Sequence, residues 1–347
     1  MESLSMGGIA ALIGLAAGIL LGLASQLGRF CTLGALESAF YGGDQTRLRM
    51  WGIVLAVAIF GTQLGNMFGV IDIGDTIYHS IAWNPVASIV GGLLFGYGMA
   101  LAGNCGFGLL ARVGGGDLRA LVVLGVMAIV TFMTLAGPIA PLRIWLFPQV
   151  ETAAPQGILH QLSLLGLPPI LAASLISLGL LVWGLSYRGL REKPTMMIWA
   201  VVVGLTIAGA LFGTTYLRHV GLDAVPVEGP SFTAPIGRTL MYLMTATAGG
   251  ISFSVGCVLG VVVGAFFGTI IRGWFRWEAC DDPRELGRQT LGAALMGVGG
   301  VIAMGCTIGQ GLTGFATLSW SGPVTLTAIV IGSRFGLQGL IGAYELR

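Results

Sequence analysis

The chain of 347 residues holds 5 cysteines, 3 histidines and 15 carboxylates, so thiols are the scarce reactive groups whose positions carry information. Cys31, Cys105, Cys257 and Cys306 lie in or beside apolar, glycine-rich stretches, whereas Cys280 falls in the charged run Glu278-Ala279-Cys280-Asp281-Asp282 and is incidental on this reading. A buried free cysteine ordinarily packs as a small hydrophobe, but it also offers a weak S–H donor and a polarizable sulfur. That chemistry suits a soft, sulfur-bearing anion better than sulfate or phosphate. Hard oxyanions are usually held by fixed Arg or Lys forks, and the apolar stretches here are short of both.

Two spacings occur once in each half of the chain. The pattern C-x-L-G-x4-A-F runs from Cys31 to Phe40 and again from Cys257 to Phe266. The pattern G-x-G-x3-A-x2-C-x2-G takes Gly96, Gly98, Ala102, Cys105 and Gly108, then Gly297, Gly299, Ala303, Cys306 and Gly309. Glycine alone signifies close helix packing. A cysteine at the same place in both halves points further, to an internal repeat with its thiols at equivalent points. The runs Gly103-Asn104-Cys105-Gly106 and Gly305-Cys306-Thr307-Ile308-Gly309 are expected to break their helices. Free backbone N–H groups and the positive end of a helix dipole at such breaks attract anions.

The other chemistry-bearing residues mainly exclude. His79, His160 and His219 are far apart, and neither HxxxH nor CxxC spacing is present, so no metal site is expected. Nothing matches a P-loop, and no histidine is placed to activate a nucleophile, so neither nucleotide hydrolysis nor catalysis is expected. The carboxylates fall almost entirely in loops, with Glu37 the main one near an apolar stretch, which argues against a proton relay through the membrane. Arg334 and Arg29 read as side chains reaching the headgroup region, with an anion contact as the alternative.

These residues need elements to position them. Apolar residues make up 55% of the chain and charged ones 9%, so lipid rather than water is the solvent. The net charge of +2 does not suggest a nucleic-acid partner. Met1 to Met6 lacks a basic n-region, so no cleavable signal peptide is expected. The expected fold is an all-α polytopic membrane protein of about nine transmembrane helices plus short broken or re-entrant helices. The spans are placed near 7–27, 51–70, 85–105, 119–137, 163–186, 196–215, 239–271, 289–306 and 321–341. The seventh is too long for one crossing, and Gly249-Gly250 is a possible break, leaving one bent helix or two half-helices.

Basic residues test the count. Of the 17, Arg143, Arg218 and Arg238 fall on one side, and the rest, including Arg334 and Arg347, fall on the other. The positive-inside rule then puts the N-terminus outside and the C-terminus in the cytoplasm. The two halves, about 1–160 and 161–347 of a single domain, would run in opposite directions, as in many transporters with a midplane site. On the residues alone, a membrane redox enzyme or sensor that pairs its thiols remains an alternative, as does a structural subunit in which they only pack.

The segment Arg29-Phe30-Cys31-Thr32-Leu33-Gly34, the run Gly103-Asn104-Cys105-Gly106, the run Gly305-Cys306-Thr307-Ile308-Gly309-Gln310-Gly311, and Phe275-Arg276-Trp277-Glu278 resemble the YeeE/YedE family of sulfur transporters over nearly the full length. The resemblance implies a thiosulfate importer of the bacterial inner membrane with inverted helix repeats. It carries the family's three pathway thiols, held to contact thiosulfate through S–H···S interactions, onto Cys31, Cys105 and Cys306. Cys257, Gly103, Asn104, Gly106, Gly305, Thr307, Gln310 and Arg29 rank as secondary contacts. The resemblance also implies a small cytoplasmic sulfur-carrier protein as partner and no cofactor. Some family members are associated with selenium metabolism, so another sulfur or selenium anion is the alternative substrate.

Overall fold

Prolines and short polar side chains fix where the helices begin. Asn84 accepts from the backbone N–H of Val86 and Ala87 ahead of Pro85, and Asp282 accepts from Arg284 N–H ahead of Pro283. Pro169 and Pro194 open two more helices at positions whose N–H has no partner within a helix. In the computed structural model, which describes residues 6–152, 156–221, 225–247, 250–279 and 282–345, every regular element is helical. Gly249, Cys280, Asp281 and Arg347 lie outside the described residues.

The chain runs through α1 (Met6–Leu27), α2 (Thr32–Phe40), α3 (Thr46–Met67), α4 (Ile77–Ser80), α5 (Pro85–Ala102), α6 (Gly106–Gly114), α7 (Leu118–Leu135) and α8 (Ala140–Leu146). It continues through α9 (Ile158–Leu164), α10 (Pro169–Leu185), α11 (Arg188–Arg191), α12 (Pro194–Val220), α13 (Ala234–Thr245) and α14 (Phe253–Ile271). After α15 (Pro283–Ile302) come a π-helical turn (Gly309–Gly314) and α16 (Ser321–Glu345).

Among the described residues, 7 helical segments are long and apolar enough to cross a membrane, those built on α1, α3, α5, α7, α12, α14 and α16. The protein is a multi-pass membrane protein. Two of the expected spans fall short of that standard. α10 is apolar but has 17 residues, and α15 has 20 but opens on Arg284, Glu285 and Arg288. The stretch 239–271 is two helices, with the N-terminal part in α13 and the rest in α14.

Glycine lets the long helices approach closely. Along α1 and α14, which run parallel, Gly14, Gly18 and Gly22 face Gly256, Gly260 and Gly264 and their neighbours. A Cβ added at Gly18 would sit 2.9 Å from Gly260 Cα. α5 and α15 cross antiparallel through two reciprocal glycine pairs. A Cβ at Gly91 would meet the Gly299 carbonyl at 2.7 Å, and one at Gly98 would meet the Gly292 carbonyl at 2.5 Å. Within lipid no hydrophobic driving force brings such helices together, so tight van der Waals contact must do much of the work.

The loop between α6 and α7 is tied to the segment before α15, which accounts structurally for the Phe275-Arg276-Trp277-Glu278 motif. Gly116 takes φ +100°, a conformation open to glycine, and lets its carbonyl accept from Glu278 N–H at 3.1 Å. Leu118 N–H returns a bond to the Glu278 carbonyl, and Arg119 pairs with the Glu278 carboxylate at 2.8 Å. Asp117 caps α7 and pairs with Arg112 at 2.7 Å and Arg119 at 3.2 Å. Burial raises the Asp117 pKa, but Arg112 and Arg119 outweigh it and hold the carboxyl below its ordinary value. A folded-state pKa below the unfolded one stabilises the fold above the unfolded pKa, and that stability is lost as pH falls. Asp117→Ala is therefore expected to cost about 1–3 kcal/mol at pH 7. Thermal unfolding in detergent checks it: the gap in Tm from wild type should narrow as the wild-type carboxyl protonates in acid.

Candidate functional site

The sequence run Gly103-Asn104-Cys105 ends α5 and begins α6. Gly103 adopts φ +74°, the left-handed conformation that stops a helix cleanly. Asn104 Oδ1 then accepts from Cys105 N–H at 3.2 Å and from the Cys31 thiol at 3.5 Å. Cys31 itself stands at the N-cap of α2, where its sulfur accepts from Gly34 N–H at 3.5 Å. Cys105 occupies the N-cap of α6, whose first turn has no side-chain cap, and Gly106 opens that helix. One side-chain amide thus joins two thiol-bearing helix starts.

The second break has the same logic and different hardware. After α15, Met304 takes φ +56° and Gly305 N–H donates to the Gly300 carbonyl at 2.8 Å. The Cys306 sulfur accepts from Phe232 N–H and Gly309 N–H, both at 3.3 Å, which leaves its own S–H free to donate elsewhere. Gln310 Nε2 donates to the Ala303 carbonyl at 2.7 Å, while its Oε1 is buried without a partner. Tyr78 donates its hydroxyl to the Gly309 carbonyl at 2.7 Å. The π turn Gly309–Gly314 follows, a rare helix type that is frequent at functional sites.

The two breaks meet. Cys105 lies within electrostatic reach of Cys31 and Cys306, and the Thr307 side chain is beside it. Thr307 is fully buried, so its hydroxyl sits beside the Cys105 thiol away from water. Four aromatic rings cross the same region in a row. Trp51 stacks on Phe30 at 5.3 Å, Phe30 lies 6.2 Å from Phe107, and Phe107 lies 5.3 Å from Phe232. All four are buried.

A cavity opens at each end of α3. One of about 730 Å³ is lined by Gln63, Asn66, Asp75, His79 and Thr317 among others. The other, of about 400 Å³, is lined by Ser25, Gln26, Arg29, Cys31, Arg47, Arg272 and Trp274. Arg29 takes φ +54° and lies over Trp274 at 6.0 Å to the ring centroid.

Of the residues marked from sequence, Cys31, Cys105, Cys306, Gly103, Asn104, Gly106, Gly305, Thr307 and Gln310 belong to the two breaks, and Arg29 to the adjoining cavity. Cys257 is placed differently. It lies inside α14 with its backbone against Gly14 of α1, so the two copies of the C-x-L-G-x4-A-F spacing occupy unlike positions, one before a helix and one within it. Arg334 lies over the Phe40 ring at 5.6 Å. Phe232, Tyr78 and Trp51 were not singled out from sequence. Phe232 reaches Cys306 from the loop before α13, and only the tertiary fold brings it there.

A bundle of apolar helices long enough to cross a membrane, interrupted at glycine-rich breaks that carry Cys105 and Cys306, defines a multi-pass membrane protein with thiols in its interior. The chain matches the sulphur transport family across residues 27–335 and belongs to that family, which is one of transport rather than catalysis. It is 27% identical over 337 residues to a protein named thiosulfate transporter TsuA from Escherichia coli strain K12, covering 92% of each chain. It is 25% identical over 332 residues to the thiosulfate transporter TsuA of Spirochaeta thermophila, covering 92% of this chain and 96% of that one.

Proposed function

We propose that this protein imports thiosulfate across the bacterial inner membrane, for sulfur assimilation, along a pathway lined by Cys31, Cys105 and Cys306. The observation that carries the reading is the convergence on Cys105 of Cys31, through Asn104, and of Cys306, each thiol at a helix end, with the buried Thr307 hydroxyl beside Cys105. The names of the relatives point to the same substrate.

Thiosulfate is a dianion with one soft terminal sulfur. Carrying it through apolar surroundings requires donors that compensate lost hydration without holding it fast. Cys306 offers a free S–H, since its sulfur is already the acceptor of two backbone bonds. Cys31 donates to Asn104 Oδ1 at rest, and an arriving anion would replace that amide as acceptor. The uncapped first turn of α6 adds backbone donors and a favourable dipole. Each such contact to the charged ion contributes about 1.5–3 kcal/mol, little beside the hydration it replaces. Weak successive sites let an ion enter and leave, as conduction requires.

The same reading places nine spans in two inverted halves. Its support is a set of recurring pairings. α1 packs on α14 as α12 packs on α3, α5 on α16 as α15 on α7, and α6 on α7 as the π turn on α16. Arg29, Arg47 and Arg272 share one cavity, Arg49 reaches Ser186, and Arg119 reaches Glu278, so loops rich in basic residues gather together. That end is assigned to the cytoplasm, with the N-terminus outside. A small cytoplasmic sulfur-carrier protein would receive the sulfur there.

Uptake of 35S-thiosulfate into cells lacking their own thiosulfate importers tests the function. Expression should confer uptake that unlabelled thiosulfate suppresses and equal sulfate does not. A well-expressed protein that confers none would reassign the substrate to another sulfur or selenium anion.

A further inference from the structure

The cavity of about 400 Å³ beside Cys31 brings three guanidinium groups together, those of Arg29, Arg47 and Arg272, from three different parts of the chain. Among the described residues no carboxylate lines it. Among the described residues none of the three forms an ion pair. Glu37 and Asp44 act on Arg47 through charge, yet neither borders the cavity. Arg272 donates to the Leu27 carbonyl at 2.8 Å, and it stacks over Trp274 at 5.0 Å, the same ring that Arg29 overlies. Burial first, and the Arg29 charge second, push the Arg272 guanidinium below its ordinary range, as like charges held close must.

Three cations held together without an ion pair among the described residues, one of them on a left-handed backbone that disfavours arginine, repel one another in a way that an anion relieves. Ser25 and Gln26 add neutral groups at the wall. A planar guanidinium fork presents paired donors to two oxygens of a tetrahedral oxyanion, as it does to phosphate. Cys31, the remaining wall residue of this set, offers a thiol instead.

We infer that this cavity is a second anion site, in which Arg29, Arg47 and Arg272 hold the oxygens of a dianionic sulfur oxyanion while its terminal sulfur faces Cys31. Only the identity of that terminal sulfur rests on the thiosulfate reading above. The site reads the two ends of the ion separately. Sulfate satisfies the arginines but leaves the thiol without a soft partner, so it binds here without passing the thiols beyond.

The reactivity of Cys31 reports the site independently of transport. In a Cys280→Ser background in nanodiscs, modification is followed with a sulfonate-bearing and a trimethylammonium-bearing methanethiosulfonate, with Cys31→Ser as blank. The anionic reagent is expected to react faster by about tenfold or more, as a cleft of one sign concentrates its counter-ion. Sulfate should slow it, beyond the effect of equal ionic strength. Arg47→Gln with Arg272→Gln should bring the ratio toward that of free thiol and abolish sulfate protection. Arg47→Gln alone, which leaves the Arg272 bond to Leu27 in place, should give a partial shift. Equal rates for the two reagents in the wild type, or no protection by sulfate, would overturn the site. Preferential reaction and protection in a protein that moves no thiosulfate would uphold the anion site and remove the substrate assignment instead.

Discussion

Cys105→Ala is expected to lower thiosulfate uptake by about ten- to a hundredfold while the protein still folds. A hydrogen bond to a charged partner is worth about 1.5–3 kcal/mol, and each 1.4 kcal/mol is about tenfold in an equilibrium constant. The backbone at Cys105 is held by its own peptide groups, since Cys105 N–H bonds to Asn104 Oδ1 and its carbonyl accepts from Leu109 N–H at 2.8 Å. Cys306→Ala should reduce uptake comparably but also weaken the fold. Its sulfur is the acceptor for Phe232 and Gly309, and two buried N–H groups would be stranded at about 1–3 kcal/mol each. Cys306→Ser keeps an acceptor in place and should recover stability without recovering the soft contact. Uptake per folded molecule, with size-exclusion profiles alongside, separates the two effects. Wild-type uptake by Cys105→Ala would remove that thiol from the pathway.

Gly260→Leu is expected to break the bundle rather than the pathway. A Cβ there would lie 2.9 Å from Gly18 Cα and 3.0 Å from Ile19 N, both backbone atoms that cannot rotate aside. The parallel contact of α1 and α14 would have to open along its length. Overpacking a core commonly costs about 1–3 kcal/mol, and a rigid backbone contact should lie at or above the top of that range. Gly179→Leu on α10 is the control, since nothing lies within 4 Å of its added Cβ. In fluorescence-detected size exclusion, Gly179→Leu should elute as wild type while Gly260→Leu loses the monodisperse peak. Two identical profiles would mean that the α1–α14 contact does not hold the fold together.

Apolar periodicity and length made most of the long helices legible, because lipid permits few alternatives. Its gaps have physical causes. The stretch 239–271 is too long for one crossing, but hydropathy alone does not choose between one bent helix and two, and α13 and α14 make it two. The expected span near 289–306 falls on α15, a helix whose opening turns carry Arg284, Glu285 and Arg288 and whose glycine face packs on α5. The Gly-Asn-Cys run was readable because glycine, amide and thiol each have a distinct task at a helix end. The Cys257 match was not informative in the same way, since the same letters occur before one helix and inside another. Phe232 and Tyr78 carry no local signal. Their partners at Cys306 and Gly309 are 74 and 231 residues away along the chain.

The most direct test of a thiol-lined sulfur-anion pathway uses the purified chain as the sole protein in liposomes. Vesicles loaded with unlabelled thiosulfate are diluted into a trace of 35S-thiosulfate, and the label entering by exchange is followed. The account predicts transient accumulation with the wild type, little with Cys105→Ala, and no exchange when sulfate replaces thiosulfate inside. Equal accumulation in the wild type and in a variant lacking Cys31, Cys105 and Cys306 would contradict it.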